Sequence, residues 1–287
     1  MNDCLERIGR IEAEVDWLED PALRLGYRTR AEFHGSGGAL GFYALGTHRV
    51  VGITQCPLCH PRLNEALARL REAAVSGPVE VTVNPEGDDR LIWSAKPNRV
   101  LAERFPDAQG PRSTGARRQF LFDGVPVVCG AFSQASLLLN RQLRQCVHQY
   151  LAGTRTVLEL YCGSGNLSLG LEADVVGIDH NRTAVAAARK QGRGDYRAGD
   201  ESKFADAIRE REWDAILLDP PRTGAKPIVK RLAECNAGRL VYVSCDPATL
   251  ARDLNQLTDA GWKVARVTAV DMFPNTAHVE VVALMER

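Results

Sequence analysis

The chain has 287 residues, of which 45% are hydrophobic and 25% are charged, enough for one large globular domain or two ordinary ones. Lys and Arg together number 36, as do Asp and Glu, which excludes a basic field over the whole protein. There is no apolar run of membrane-spanning length and no secretory signal, and the eight cysteines are expected to be reduced, so we expect a cytoplasmic protein that does not bind membranes.

Charge is segregated along the first part of the chain. Residues 1–20 carry two Arg against seven acidic residues, and residues 72–89 carry five acidic residues without Lys or Arg. Residues 21–71 carry seven Arg against two acidic residues, and residues 90–118 carry six Arg and one Lys against two, so each of these two blocks has a net charge of +5. The positive blocks are either patches that bind nucleic acid or ion-paired surface faces.

The apolar pattern changes near residue 120. Before it, short apolar stretches are interrupted by Gly and Pro, with one clear helix at 61–74 and a strand-like alternation at 79–83. Residues 106–118 are rich in Pro, Gly, Ser and Arg and are expected to be a linker or mobile loop. We therefore expect a smaller N-terminal α+β region at residues 1–118 and a second domain at residues 119–287.

The second domain alternates between helices and strands. The pattern predicts helices at 134–151, 182–190 and 249–260, and strands at 156–161, 175–179, 196–200, 213–219, 239–245, 263–271 and 278–285. Strands that alternate with helices form parallel βαβ units, whereas the last two strands have no helix between them and should pair antiparallel. The predicted fold class is α/β, a doubly wound sheet with a final antiparallel strand, which binds ligands at the carboxyl ends of its strands.

The first of these strands leads into a glycine-containing turn, ELYCGSGN at 159–166. Gly163 is expected to let the backbone approach a ligand closely, while Ser168 replaces the third glycine of a dinucleotide fingerprint and favours a cofactor without pyrophosphate. Asp179 ends the next strand, where a carboxylate can accept hydrogen bonds from both ribose hydroxyls. The two strands after it also end in aspartates, Asp200 and Asp219. This layout is typical of S-adenosylmethionine binding.

Two further strand ends carry candidate reacting groups. Asp219 begins the sequence Asp-Pro-Pro-Arg, and Arg222 in place of an aromatic residue argues against methylation of an exocyclic amine. Cys245 precedes a helix that Asp246 can cap, and the partial positive charge of that helix terminus would favour a thiolate nucleophile. An inert buried thiol is the alternative. Glu280, on the last strand, is either a general base or the partner of an arginine.

Five segments together resemble the RNA (uracil-5-)-methyltransferase family, which makes 5-methyluridine in tRNA and 23S rRNA. They are FSQ (132–134), LELYCGSGN (158–166), DPPR (219–222), SCDP (244–247) and HVE (278–280). The resemblance implies that Cys245 is the nucleophile and Glu280 the proton-abstracting base. It also implies a set of residues that contact S-adenosylmethionine: Gln134, Tyr161, Asn166, Asp179, Asp200 and Asp219.

The implied function is methyl transfer from S-adenosylmethionine to C5 of a specific uridine in RNA, through a covalent adduct between Cys245 and C6, with 23S rRNA favoured over tRNA. A catalytically inactive RNA-binding relative and a cytosine-5-methyltransferase are the alternatives. Many family members carry an N-terminal β-barrel and a four-cysteine iron–sulfur motif that this sequence lacks. This short form would recognise RNA through residues 21–118 and act as a monomer.

Cys56-Pro-Leu-Cys59-His60 formally matches a haem-attachment pattern and half of a zinc site. No second Cys-x-x-Cys follows, so we expect no metal.

Overall fold

The computed structural model describes residues 2–287. Its helices are α1 Asn2–Cys4, α2 Pro61–Glu72, α3 Arg99–Arg104, α4 Asn140–Tyr150, α5 Arg182–Arg189, α6 Glu201–Glu210, α7 Val229–Glu234 and α8 Pro247–Asp259. Its strands are β1 Val15–Leu18, β2 Arg30–Ser36, β3 Ala39–Tyr43, β4 Val50–Gly52, β5 Gly77–Val83, β6 Arg90–Trp93, β7 Gln119–Phe122, β8 Val125–Val128, β9 Thr156–Leu160, β10 Asp174–Asp179, β11 Asp195–Ala198, β12 Ala215–Leu218, β13 Arg239–Ser244, β14 Lys263–Val270 and β15 Glu280–Glu286. A π-helical turn covers Leu5–Gly9 and a 3-10 turn covers Pro21–Leu23.

The chain divides into two compact units, residues 21–140 and residues 1–20 with 141–287. The larger unit contains an eight-stranded sheet in the order β1-β14-β15-β13-β12-β9-β10-β11. All neighbouring strands are parallel except that β15 runs antiparallel to both β13 and β14. The predicted α/β sheet with a final antiparallel strand is thus confirmed, and β15 lies inside the sheet rather than at its edge.

Buried strands at the centre of this sheet explain its order. Strands β9, β12 and β13 are short apolar runs that are covered on both faces, as parallel strands require. The chain leaves β9 towards β10 and β11, then returns to the other side of β9 at β12. The carboxyl ends of β9 and β12 therefore flank the switch point of the strand order, where doubly wound sheets bind ligands.

The smaller unit is built on an antiparallel sheet in the order β4-β3-β2-β5-β6. Helix α2 presents Leu63, Leu67 and Leu70, spaced along one helical face, to a core shared with Phe33 and Val81 of the sheet. His60 caps α2, because its Nδ1 atom accepts the Arg62 N–H, and Pro61 occupies the first helical position. The β7–β8 ribbon contributes to a second apolar cluster.

The boundaries of the two units differ from the division expected after residue 118. Residues 1–20 belong with the larger unit because β1 pairs with β14, from Val15 opposite Val267 to Leu18 opposite Val270. Residues 119–140 belong with the smaller one. The helix expected from residue 134 begins only at Asn140, since Ser136 accepts the Leu139 N–H in a preceding turn. No helix within residues 2–287 meets the length and hydropathy needed to cross a membrane.

Candidate active site

The turn after β9 adopts a backbone that few side chains tolerate. Tyr161, Gly163 and Gly165 have φ angles of 62°, 55° and 80°. A Cβ atom added to Gly163 would meet nothing within 4 Å, whereas one on Gly165 would lie 2.8 Å from the Leu169 side chain. One glycine therefore faces open space and the other is needed for packing. Gly163 therefore leaves room for a ligand against the backbone, and its contact with the cofactor stays a prediction.

Asp179, at the end of β10, is fixed by this turn. Its Oδ2 atom accepts the Gly163 N–H at 2.9 Å, and its Oδ1 atom accepts the Asn181 N–H at 2.6 Å. A carboxylate can accept about four hydrogen bonds, so acceptor capacity remains for two hydroxyl groups. The half-buried Asp179 thus fits a ribose, and the residues present fit the nucleoside part of S-adenosylmethionine.

Aromatic rings border the same turn. The Tyr161 ring makes an edge contact with Phe204, at 4.8 Å between centroids, and His180 packs against Phe204 at 5.3 Å. Asn166 lies half-buried in the turn itself. Tyr161, Asn166 and His180 follow the carboxyl ends of β9 and β10, beside Asp179.

Asp200 has a structural role in addition to any part in binding. It caps α6, because its Oδ1 atom accepts hydrogen bonds from the Ser202 N–H, the Ser202 hydroxyl and the Lys203 N–H. The Ser202 hydroxyl is the main reason why the pKa of Asp200 is lowered. Asp200 is exposed, and its contact with the cofactor remains a prediction.

A buried carboxyl group in β9 helps to hold the turn that follows this strand. Glu159 in β9 accepts a hydrogen bond from Ser168, whose Oγ atom also lies 2.7 Å from the Tyr196 hydroxyl. Burial raises the pKa of Glu159 to about 8, and the nearby carboxylates of Asp219 and Asp179 add to this effect. Glu159 therefore keeps its proton to a higher pH than an exposed glutamate, and the only sequence signal for this role is a charged residue in a buried strand.

The second group of residues lies where β12 and β13 end and β15 begins. Ser244 pairs with Val281, so the antiparallel β15 brings Glu280 to the same edge as Cys245. Burial, then the negative charge of Asp219, raises the pKa of Glu280 to about 8, and Arg222 opposes the shift. Burial and the charge of Asp179 raise the pKa of Asp219 to about 7. Asp219, Arg222, Cys245 and Glu280 thus interact as one cluster, called here the catalytic cluster.

The helix terminus was expected to lower the pKa of Cys245, but other interactions have a larger effect on this pKa. Asp246 does cap α8, with its Oδ1 accepting the Ala248 and Thr249 N–H groups. The pKa of Cys245 is nevertheless raised, chiefly by burial and next by the charge of Glu280. A hydrogen bond from the Arg222 side chain, together with its positive charge, acts in the opposite direction. Arg222 is therefore the group that favours a thiolate, a role that sequence reasoning missed.

A buried aspartate positions the loop that carries Arg222. Asp253 of α8 is fully buried, and its Oδ2 atom accepts hydrogen bonds from the Ala225 N–H and the Tyr242 hydroxyl, both at 2.8 Å. Arg252 donates to the Thr223 carbonyl and pairs with Asp253. A Cβ on Gly224 would lie 2.5 Å from Oδ2 of Asp253, so only glycine fits there. The network holds the Pro-Pro-Arg loop to α8 and β13.

Gln134 is the one predicted site residue that belongs to the smaller unit. Gln134 is buried in the smaller unit, whereas the other predicted site residues belong to the larger one. Its contact with the cofactor stays a prediction. Among residues 2–287, no three His, Cys, Asp or Glu side chains are arranged to hold a metal ion.

Comparisons with known proteins agree on one family. The family model described as tRNA (Uracil-5-)-methyltransferase matches residues 204–287. The 23S rRNA (uracil(1939)-C(5))-methyltransferase RlmD of Cronobacter sakazakii is 31% identical over 91% of this chain and 71% of its own length. RlmD of Methylococcus capsulatus is 31% identical over 99% of this chain and 76% of its own length.

A solved structure matches the fold. The tRNA (uracil-54, C5)-methyltransferase of Pyrococcus abyssi, in complex with S-adenosyl-L-homocysteine, superimposes with a TM-score of 0.78. The match covers 99% of this chain and 81% of that chain at 23% sequence identity, which shows that the two proteins share a fold.

Proposed function

Because the chain belongs to the RNA (uracil-5-)-methyltransferase family and is an S-adenosylmethionine-dependent enzyme, we propose that it methylates C5 of one specific uridine in 23S rRNA through a covalent Cys245 adduct. The catalytic cluster carries this proposal, since it places a thiol, a cation that favours its thiolate and a buried carboxyl group at one edge of the sheet. We propose rRNA and not tRNA as the substrate because two of the relatives are named as 23S rRNA methyltransferases.

The chemistry explains why both Cys245 and Glu280 are required. C5 of uracil is a poor nucleophile. Addition of the Cys245 thiolate to C6 forms an S–C6 bond and gives C5 the electron density to form a new bond to carbon. S-adenosylmethionine supplies the methyl group. C5 then carries both a proton and a methyl group, and the proton must leave before the S–C6 bond can break.

Glu280 is the proposed acceptor of the C5 proton. Transfer to a positioned base typically contributes about 10²–10⁴-fold to rate. The pKa of Glu280 is raised to about 8, so only its ionised form can accept the C5 proton, and that carboxylate is a stronger base than an exposed glutamate. Loss of the proton restores the C5–C6 double bond and expels Cys245 as a thiolate, which the Arg222 hydrogen bond stabilises. A monomeric enzyme is also proposed.

Residues 21–118 are proposed to recognise RNA, and the target uridine must be flipped out of its stack to reach the catalytic cluster. Several arginines of the two +5 blocks are already ion-paired, including Arg30 with Glu80 and Arg62 with Asp88. These pairs favour the alternative of ion-paired faces at those positions. A cytoplasmic location is also proposed, since the eight cysteines are free thiols.

The mechanism is tested by trapping. Cys245→Ala should form neither adduct nor product. Glu280→Gln should accumulate a covalent complex with methylated RNA, seen as a shifted band on a denaturing gel. RNA containing 5-fluorouridine should trap the wild type in the same way, because fluorine does not leave as a proton. Normal turnover by Cys245→Ala would exclude the covalent mechanism, and failure of every variant and the wild type to make product would favour an inactive RNA-binding relative.

The substrate is tested separately. Mass mapping of 5-methyluridine in rRNA and tRNA from a gene-deletion strain should show loss of one modified position in 23S rRNA. Loss from tRNA alone would overturn the proposed substrate but leave the chemistry intact.

A further inference from the structure

The β3–β4 hairpin of the smaller unit ends in an ordered tip, residues 44–49. The Ala44 N–H donates to the Arg49 carbonyl at 2.9 Å, and the Thr47 N–H donates to the Ala44 carbonyl at 3.0 Å. The Thr47 hydroxyl donates to the same carbonyl and accepts the Arg49 N–H. Gly46 supplies the positive φ angle of 69° that the turn needs. The tip therefore has a defined conformation and is not simply a loose loop.

Three rings are stacked on the outer face of this hairpin. His34 of β2 and Tyr43 of β3 lie nearly parallel, with centroids 3.8 Å apart, and His48 meets the Tyr43 ring edge-on at 5.3 Å. His34 lies opposite Gly41, where a Cβ atom would come within 1.9 Å of the Val51 carbonyl oxygen. The Val51 backbone therefore takes the place of a side chain at residue 41, and only glycine fits opposite His34. His34 holds the ring of Tyr43 while Tyr43 remains 42% exposed.

Leu45 extends from the tip without any support from the fold. Its side chain is fully exposed, at 101% relative accessibility. A single exposed leucine is ordinary, but Leu45 follows the exposed Tyr43 ring by two residues on one ordered hairpin, so both leave apolar surface facing water. The apolar core of the unit uses the opposite face of the sheet, through Phe33 and Leu40.

The charge around this surface selects an anionic partner. Residues 33–64 contain no Asp or Glu, and Glu32, the nearest carboxylate in sequence, pairs with His34 at 3.2 Å. Within the described part of the chain, the Arg49 guanidinium forms neither a hydrogen bond nor an ion pair, and only the backbone of Arg49 is hydrogen-bonded. An anion with flat apolar faces meets both requirements, and single-stranded RNA has this combination, since its bases stack on aromatic rings and its phosphates pair with arginine.

We propose that the β3–β4 hairpin binds unpaired nucleotides of the RNA substrate: Tyr43 stacks on a base, Leu45 inserts between neighbouring bases as an apolar wedge, and Arg49 contacts the adjacent phosphate. The inference rests on the proposed function for the identity of the RNA. It adds a contact site away from the catalytic cluster and assigns it a recognition role. Because the tip is preorganised, little conformational entropy is lost when it binds.

The test compares a single-stranded oligouridine with a fully paired RNA duplex of the same length, in fluorescence anisotropy titrations. Tyr43→Ala should weaken binding of the single strand about tenfold, the scale of one lost stacking contact, and leave duplex binding unchanged. Tyr43→Trp should preserve binding, which separates a lost ring from a damaged hairpin. Leu45→Ser should weaken binding in the same direction as Tyr43→Ala. Arg49→Ala should reduce the slope of log K against log salt by about one phosphate contact.

Leu121→Ala is the matched control, because Leu121 lies in the same unit and is 53% exposed but belongs to the β7–β8 ribbon. Wild-type affinity in Tyr43→Ala and Leu45→Ser, or an equal loss in Leu121→Ala, would overturn the proposal. So would a loss in duplex binding as large as in single-strand binding. Formation of 5-methyluridine by the wild type is scored separately, so a failure of this proposal and a failure of the proposed function give different results.

Discussion

Replacement of Arg222 by alanine is expected to slow alkylation of Cys245 about tenfold at neutral pH, because the thiolate loses a charged hydrogen-bond donor. A hydrogen bond to a charged group contributes about 1.5–3 kcal/mol, and Cys245 is half-buried, so partial screening by water brings the estimate to the lower end. A change of about 1.4 kcal/mol is a tenfold change in the thiolate population. Only the thiolate reacts, and the alkylation rate follows that population.

The structure also predicts a change of opposite sign at the neighbouring carboxyl group. Glu280 raises the pKa of Cys245, so Glu280→Gln should speed alkylation at pH values where the carboxylate is charged. Rates are measured with iodoacetamide by quantifying the peptide that contains Cys245, because Cys4 and Cys56 are also partly exposed. Arg231→Ala, which removes an exposed arginine paired with Glu234, is the control.

Equal alkylation rates in the wild type, Arg222→Ala and Glu280→Gln would refute the electrostatic account of the catalytic cluster. A slower rate in Arg231→Ala would show that a general change in charge, and not the hydrogen bond, is being measured.

Three further predictions concern the same unit. Asp179→Ala should weaken S-adenosylmethionine binding more than tenfold in calorimetry, since a charge-assisted contact is lost, and an unchanged Kd would remove the ribose assignment. Asp253→Asn should lower the free energy of unfolding in urea by about 1–3 kcal/mol and reduce kcat, because the Pro-Pro-Arg loop loses its anchor; wild-type values for both would contradict the network described. Native Glu159 keeps its proton up to a pH of about 8, whereas in the unfolded chain it ionises near its usual pKa of 4.5, so the free energy of unfolding falls as pH rises between these values. Glu159→Gln should therefore gain stability relative to the wild type by about 1.4 kcal/mol per pH unit within that window, and a constant difference in urea midpoints across pH would refute this.

The sequence predicted most of the larger unit because its signals are local. Strands β9, β12 and β13 are mostly apolar, and each is followed by a residue with conspicuous chemistry (Tyr161, Asp219 and Cys245), so both the strand and its site were recognised. Strand β1 was missed, since VDWL is short, Trp17 is 59% exposed, and its partner β14 lies about 250 residues away in the chain. No local pattern could indicate such a pairing.

The electrostatics of Cys245 were predicted incorrectly for a related reason. The helix that follows Cys245 and its cap, Asp246, can both be recognised in the sequence, and they suggest a lowered pKa for Cys245. Glu280 becomes a neighbour only because β15 inserts between β13 and β14, and Arg222 only because a buried aspartate fixes its loop. Interactions that raise or lower a pKa act through space, so they follow from the strand order and not from the spacing of residues.

The pairing of β1 with β14 has a consequence for the order in which the chain can fold during synthesis. All strands of the smaller unit, β2–β8, leave the ribosome before any of the larger sheet apart from β1. At about 5–20 residues per second, the N-terminal strand waits roughly 12–50 seconds for β14 to be made. During that interval its backbone groups and the exposed Trp17 have no partner in the sheet, and the larger unit stays open along this edge until β14 is translated.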